Sequence, residues 1–399
     1  MRLASSSPSP ARMHRDGVTW YCYLANGFFT YLLNLQGNVL PFLQSELHLS
    51  YRVASLHFSA IAVGMILSGL FSNTITRAIG RSRTLWMASA GIIAGGLLES
   101  WSPRVGVSLA GCLLIGFPGA LIPAIIFGLV GEVQGRFKDT AFGEASALSY
   151  VFGVIGPLAI AAFFWMALGW RNAVLLGVGM GVVITLVFRR LDVRNPVQSA
   201  QTKTGPLPVT YWALWCLMIC SVALEFSVLF WAPSFLERVA GLSTATAAAS
   251  AAIFSLAMIL ARTAGSIVVR RIPAHRMMIG TIAVTAVGFA FYWGIGQGGF
   301  ALLGLFLLGL GIAPLYPLTM SMAIEAVGAQ SAAASARFML AVGLSILTMP
   351  ALLGSLADRI GLSAAHLTLP ALMLAALAFL FGSRTLLNRQ KIFMAEQAG

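Results

Sequence analysis

Two charged side chains stand where charge is expensive. Glu225 falls deep in an apolar run that begins near residue 209, about 14 residues or roughly 21 Å along it if the run is helical. An ionised acid at such a depth in a bilayer costs on the order of 3 kcal/mol, so it must be paired, hydrated or protonated. A carboxyl that trades its proton as its surroundings change is the chemistry of proton coupling; a structural acid held by a cation is the other reading. Arg262, in the next apolar run, is the natural partner. Helical rise puts the two apart in depth by very roughly 9 Å, which long side chains can span. Arg262 could equally bind an anionic solute or snorkel toward water.

A second polar feature is neutral. Asn26, Thr30, Asn34 and Asn38 recur every four residues, with Tyr31 beside them and Gln36 pointing elsewhere. Amides facing lipid would go unpaired, so this stripe faces protein or water. It is either helix–helix glue or the wall of a cavity that hydrogen-bonds a polar solute. Tyr316, between Pro314 and Pro317, is a further candidate cavity residue.

The elements that must position these groups follow from composition. Of 399 residues, 58% are hydrophobic and 9% charged, against about 25% charged in soluble domains. Unbroken apolar runs of about 20 residues indicate spanning helices rather than barrel strands. They fall at 20–43, 53–75, 84–101, 105–130, 142–166, 170–191, 209–234, 246–269, 276–296, 300–324, 335–356 and 365–387. An even number of crossings puts both termini on one side. That side collects Arg2, Arg12, Arg15, Arg77, Arg81, Arg83, Arg136, Lys138, Arg189, Arg190, Arg194, Lys203, Arg270, Arg271, Arg276, Arg384, Arg389 and Lys391; the other holds only Arg52, Arg104, Arg171, Arg238 and Arg359. The positive-inside rule makes the termini cytoplasmic. The net charge of +13 is dealt out between apolar runs, so it forms no nucleic-acid-binding surface. Cys22, Cys112, Cys216 and Cys220 all lie in apolar segments and make neither a disulfide framework nor a metal cluster. Residues 1–16 lack the apolar stretch of a secretory signal.

The chain also repeats itself. At an offset of 193 residues, Arg77, Ile79 and Arg83 fall on Arg270, Ile272 and Arg276; Gly111, Gly116, Glu132 and Gly135 fall on Gly304, Gly309, Glu325 and Gly328; Pro157 falls on Pro350. Six helices separate the copies, so they run in the same sense, as parallel repeats do.

Two six-helix halves joined by a basic linker resemble the major facilitator superfamily, over essentially the whole chain. The family's loop motif Gly-x-x-x-Asp-Arg-x-Gly-Arg-Arg is degenerate here: Gly80, Arg81 and Arg83 fit, but Asn73 and Arg77 replace its Gly and Asp. A fifth-helix motif of antiporters is partial, with Gly143, Gly156 and Pro157 in place and Phe152 where a Gly belongs. Asp358-Arg359-Ile360-Gly361 looks like another copy of the loop motif but lies on the outer side by helix count. The resemblance implies two bundles rocking about a central site, with the first helix lining the cavity.

The expected architecture is therefore all-α, twelve transmembrane helices in two parallel repeats: tail 1–19, bundle 20–191, linker 192–208, bundle 209–387, tail 388–399. Gly116, Pro118, Gly119 and Pro123 in the fourth helix, and Gly309, Gly311, Pro314 and Pro317 in the tenth, predict helices broken at matching positions beside the binding region, the alternative being close packing of small residues. Glu132 with Arg77 and Arg83, and Glu325 with Arg270 and Arg276, are expected to form two cytoplasmic charge latches, the alternative being solvated loop charges. Glu144 and Arg337, also repeat mates, are candidates to join them. No phosphate-binding loop, metal motif or nucleophile elbow occurs, so no enzymatic activity and no cofactor are expected. The expectation is a monomeric secondary transporter in the cytoplasmic membrane, moving a small organic solute with protons. Drug or metabolite efflux by proton antiport is one alternative, and a non-transporting receptor or scaffold another.

Overall fold

The computed structural model describes residues 13–191, 193, 207–268, 271–294, 298–327 and 331–398. Arg270, the tail through residue 12 and most of the expected linker (192 and 194–206) lie outside the described residues. The regular elements are all helical: α1 (Gly17–Glu46), α2 (Tyr51–Ile79), α3 (Arg81–Ser100), α4 (Val105–Gln134), α5 (Lys138–Trp165), α6 (Arg171–Phe188), α7 (Val209–Arg238), α8 (Thr244–Val268), α9 (Ala274–Phe289, prolonged by a π turn Ala290–Gly294), α10 (Gly299–Ile312), α11 (Leu315–Val327), α12 (Ser331–Ile360), α13 (Leu362–Ala365) and α14 (Thr368–Ala398). Because α10 and α11 run on as one crossing and α13 is a single turn leading into α14, these make the twelve crossings read from the sequence. α14 continues helical through the stretch 388–398 that was expected to be tail.

Ten crossings are apolar and long enough to span a bilayer by length and composition alone; α1 and α3 are the two that are not. α1 carries the amide stripe, and α3 carries Arg81, Arg83 and Glu99. α1 is tolerated because most of its surface is covered by protein, where side-chain amides find partners.

The apolar interior divides into two clusters, one chiefly from α1–α6 and one chiefly from α7–α14, the second taking in Leu40 of α1 and Ala54, Phe58 and Ala62 of α2. The halves meet chiefly along α1 with α7, α2 with α12 and α5 with α8. The repeat offset exchanges the last two pairs, so one packing solution is used twice. Close contacts between halves occur toward the end away from the termini, here called the far end. Gly37 lies on the α7 backbone so closely that a Cβ there would meet Leu229 O at 2.5 Å. Phe58 stacks on Phe230 with centroids 4.0 Å apart and planes within 5°, and meets Trp231 edge-on at 5.9 Å.

The expectation of two matching broken helices is half corrected. The tenth crossing breaks between Ile312 and Leu315, around Pro314. The fourth is continuous through Pro118 and Pro123. Gly91 of α3 lets the two helices close around the Pro118 ring: a Cβ there would lie 2.5 Å from it.

Candidate functional site

Between the halves lie two adjoining cavities, of about 230 and 420 Å³, which share Ser146 and Tyr150 of α5. The first is walled by Asn26, Thr30 and Asn34 of α1, Ser149, Glu225 of α7 and Ser255 of α8. The second, nearer the terminal end, is walled by Arg262 of α8 and by Tyr316 and Pro317 of α11. Four-residue spacing on α1 thus aims three of the four stripe residues at one space, facing the acid read from α7.

Glu225 and Arg262 do meet. Arg262 Nη2 donates to Glu225 Oε1 at 3.3 Å, so side-chain length and helix tilt close the depth offset estimated from rise alone. Arg262 Nε donates to Ala313 O, also at 3.3 Å, at the break of the tenth crossing. The guanidinium carbon sits 4.7 Å from the Tyr150 ring centroid, a cation–π contact from the other half. The pair is looser than the three other ion pairs among the described residues, which close to 2.5–2.7 Å.

The stripe is partly glue and partly wall. Asn26 donates to Ser149 Oγ at 2.5 Å, Thr30 to Asn26 O at 2.9 Å, and Asn38 to Asn34 O at 3.1 Å. The Asn34 amide borders the cavity and makes no side-chain hydrogen bond among the described residues. Asn38 is fully buried farther along α1, beside Glu237 and Thr244, and its Oδ1 has no partner in the described protein. Tyr31 departs from the expectation: it is buried against α6, donating to Ala173 O at 2.8 Å, because one residue past Thr30 the helix has turned by about 100°. It borders neither cavity.

The latches differ from those expected. Glu132 pairs with Arg81, at 2.7 and 2.8 Å, while Arg77 and Arg83 are exposed. Glu325 is exposed and makes no ion pair among the described residues; Arg276 is exposed, and Arg270 is outside them. The sequence explains the asymmetry, since the repeat position of Arg81 is Ala274. Glu144 joins neither expected latch: it takes Arg15, at 2.5 and 2.9 Å, and the Tyr23 hydroxyl at 3.0 Å. Arg337 offers its carbonyl to Trp215 Nε1. Both terminal-end pairs therefore stay within the first half.

Polar locking across the halves is instead at the far end. The carboxylate of Asp358, on α12, accepts the Tyr51 and Arg52 backbone N–H groups at 2.8 Å each, capping the first turn of α2 in the other half. Arg238, at the end of α7, donates to the Tyr51 hydroxyl at 3.1 Å and lies over its ring. The segment Asp358-Arg359-Ile360-Gly361, set aside as a stray loop motif, supplies this cap. Sequence reading also missed Glu99, buried at the far end of α3, which accepts from Gln36 Nε2 at 3.1 Å. Gln36, off the stripe as expected, makes that bond. Tyr150, Ser146, Ser149 and Ser255 were missed too, since single hydroxyls carry no periodic signal.

The family model of the Major Facilitator Superfamily matches residues 19–333. An uncharacterized MFS-type transporter of Yersinia pestis is 25% identical over 312 residues, covering 72% of this chain and 80% of that protein. The uncharacterized transporter YycB of Bacillus subtilis is 24% identical, over 69% and 73% of the two chains. Among solved structures, a bacterial homolog of the human lysosomal transporter Spinster, in an inward-facing and unoccupied conformation, superposes with TM-score 0.73 at 14% identity, covering 94% and 98%. A peptide transporter, POT, in complex with sulfate gives 0.74 at 15%, covering 96% and 97%. At such identities the likeness to solved structures concerns the fold alone.

Proposed function

This chain belongs to the Major Facilitator Superfamily and is a membrane transporter of that type; from that premise we propose that it moves a small polar organic solute together with a proton, by alternating access through the cavities between its halves. The observation that carries this reading is the position of the Glu225–Arg262 pair. An acid and its cation stand on the wall of a space bounded by both halves, held by one long contact. Protonating Glu225 removes the charge that holds Arg262, so the pair dissolves without leaving a buried carboxylate unpaired. α7, which carries Glu225, packs on α1 of the other half, so a change at the pair reaches the helix contact that must shift when access alternates.

In this reading the moving bodies are the bundles 20–191 and 209–387, and the basic terminal end faces the cytoplasm across the cytoplasmic membrane. The cap of Asp358 on α2 and the Phe58–Phe230 stack hold the far end shut. The solute occupies the space beside Thr30, Asn34 and Ser149, with Tyr316 at its terminal side. Arg81–Glu132 and Arg15–Glu144 act inside the first bundle, as struts rather than latches.

The test is reconstitution of the full chain in vesicles holding a pH-sensitive dye. An imposed solute gradient should drive proton movement in the wild type, and Glu225→Gln should bind solute yet show no proton movement. Proton movement that persists in Glu225→Gln would remove this residue from coupling, and a silent substitution with no flux in either protein would favour a receptor or scaffold.

A further inference from the structure

The guanidinium of Arg262 is under-used for a charge within a membrane-spanning helix. Of its five N–H groups, Nε reaches a carbonyl and one hydrogen of Nη2 reaches Glu225, both at 3.3 Å. Nη1 and the second hydrogen of Nη2 have no protein partner among the described residues. The group forms part of the wall of the 420 Å³ cavity, with the Tyr150 ring against its face and Tyr316 alongside. These donors open on the cavity, where a solute can take them, and the planar fork of arginine matches a carboxylate in two parallel hydrogen bonds.

Resting on the proton-coupled reading above, we propose that the solute is a small monocarboxylate whose acid group docks on Arg262 and displaces Glu225, while its polar remainder reaches Asn34 and Thr30. The geometry makes the proton obligatory. One guanidinium cannot serve two carboxylates in a low-dielectric space without like-charge repulsion, so Glu225 takes up a proton as the anion arrives. The other groups facing the acid do not change charge in the working range: Tyr150 on α5 and Tyr316 on α11 are phenols, and α1 presents only amides and a hydroxyl. The charges on the adjacent α12 lie at its two ends, Arg337 toward the terminal end beside Trp215 and Asp358 and Arg359 at the far end. Anion and proton therefore enter together, one of each.

Calorimetric titration of the purified full chain tests this, with acetate, lactate and benzoate against acetamide, lactamide and benzamide. The acids should bind and the amides should not. Each bound acid should take up one proton, read from buffers of different ionisation heat, and affinity should rise about tenfold per unit fall in pH while Glu225 is ionised. Glu225→Gln should bind the acids with no proton uptake and little pH dependence. Arg262→Gln should lose binding; should it fail to fold, Arg262→Lys should weaken binding at least tenfold, keeping charge without the fork. Equal binding of acids and amides, binding unchanged in the Arg262 variants, or no heat from any of the three acids would overturn the proposal. A neutral solute that still moved protons in vesicles would leave the coupled-transport reading standing and remove only the carboxylate.

Discussion

The two ends of the molecule are built on opposite plans. At the terminal end, the ion pairs among the described residues, Arg81–Glu132 and Arg15–Glu144, each join helices of one half. At the far end one pair, Glu46–Arg171, also stays within a half, but the Asp358 cap, the Arg238–Tyr51 contact and the Phe58–Phe230 stack all cross between halves. An end locked across the halves stays shut until those contacts break. An end whose charges are satisfied internally can part without leaving any of them bare. The difference teaches that charge at a bundle end is not by itself a gate; what matters is whose partner it is.

Substitutions can break this contrast. The largest effect is expected from Phe58→Ala, since emptying a packed phenylalanine site costs on the order of 3 kcal/mol. All of that loss falls on the far-end-closed state, so spin labels at Trp101 and Leu367, both exposed at that end, should report longer distances. Unchanged distances would mean that the stack packs without closing anything. Asp358→Ala removes one cap, worth about 1 kcal/mol, and should shift the same distance distribution roughly fivefold toward open. Arg81→Gln should lower the melting temperature modestly, by the equivalent of about 1 kcal/mol or less given the exposure of Glu132. It should leave the far-end distances as they are; an opening there would show that the terminal end is coupled after all.

The smallest effect concerns Glu46. Its carboxyl is held below the ordinary value by hydrogen bonding to Arg171, with Trp170 adding a further donor against the opposing cost of burial. A lowered folded-state pKa means that this pair stabilises at neutral pH and stops doing so as pH falls through the lowered value. Melting curves of the wild type and Glu46→Gln should accordingly differ at pH 7 and converge in acid, with far-end distances unaffected throughout.

The crossings, the repeat and the Glu225–Arg262 pair were legible in the sequence because each has a one-dimensional signature: a run length, an offset, a charge within an apolar stretch. The four-residue spacing likewise carried Asn26, Thr30 and Asn34 onto one face. The latch partners were not legible. Arg77, Arg81 and Arg83 are equivalent by composition, and only the start of α3 at Arg81 turns that one side chain toward Glu132. Tyr31 was assigned to the cavity by proximity along the chain, where angle around the helix decides.

Taken alone, the sequence determined how many times the chain enters lipid, which segments are copies of one another, and which charges lie deep within apolar segments. Each follows from the cost of exposing polar groups to hydrocarbon, a cost read residue by residue. The tertiary structure decided which end is locked, that Asp358 caps a helix 306 residues away in sequence, and that α4 stays continuous past two prolines. Those outcomes depend on the facing surface, a glycine opposite a ring or a backbone N–H opposite a carboxylate, and no local pattern encodes what will stand opposite.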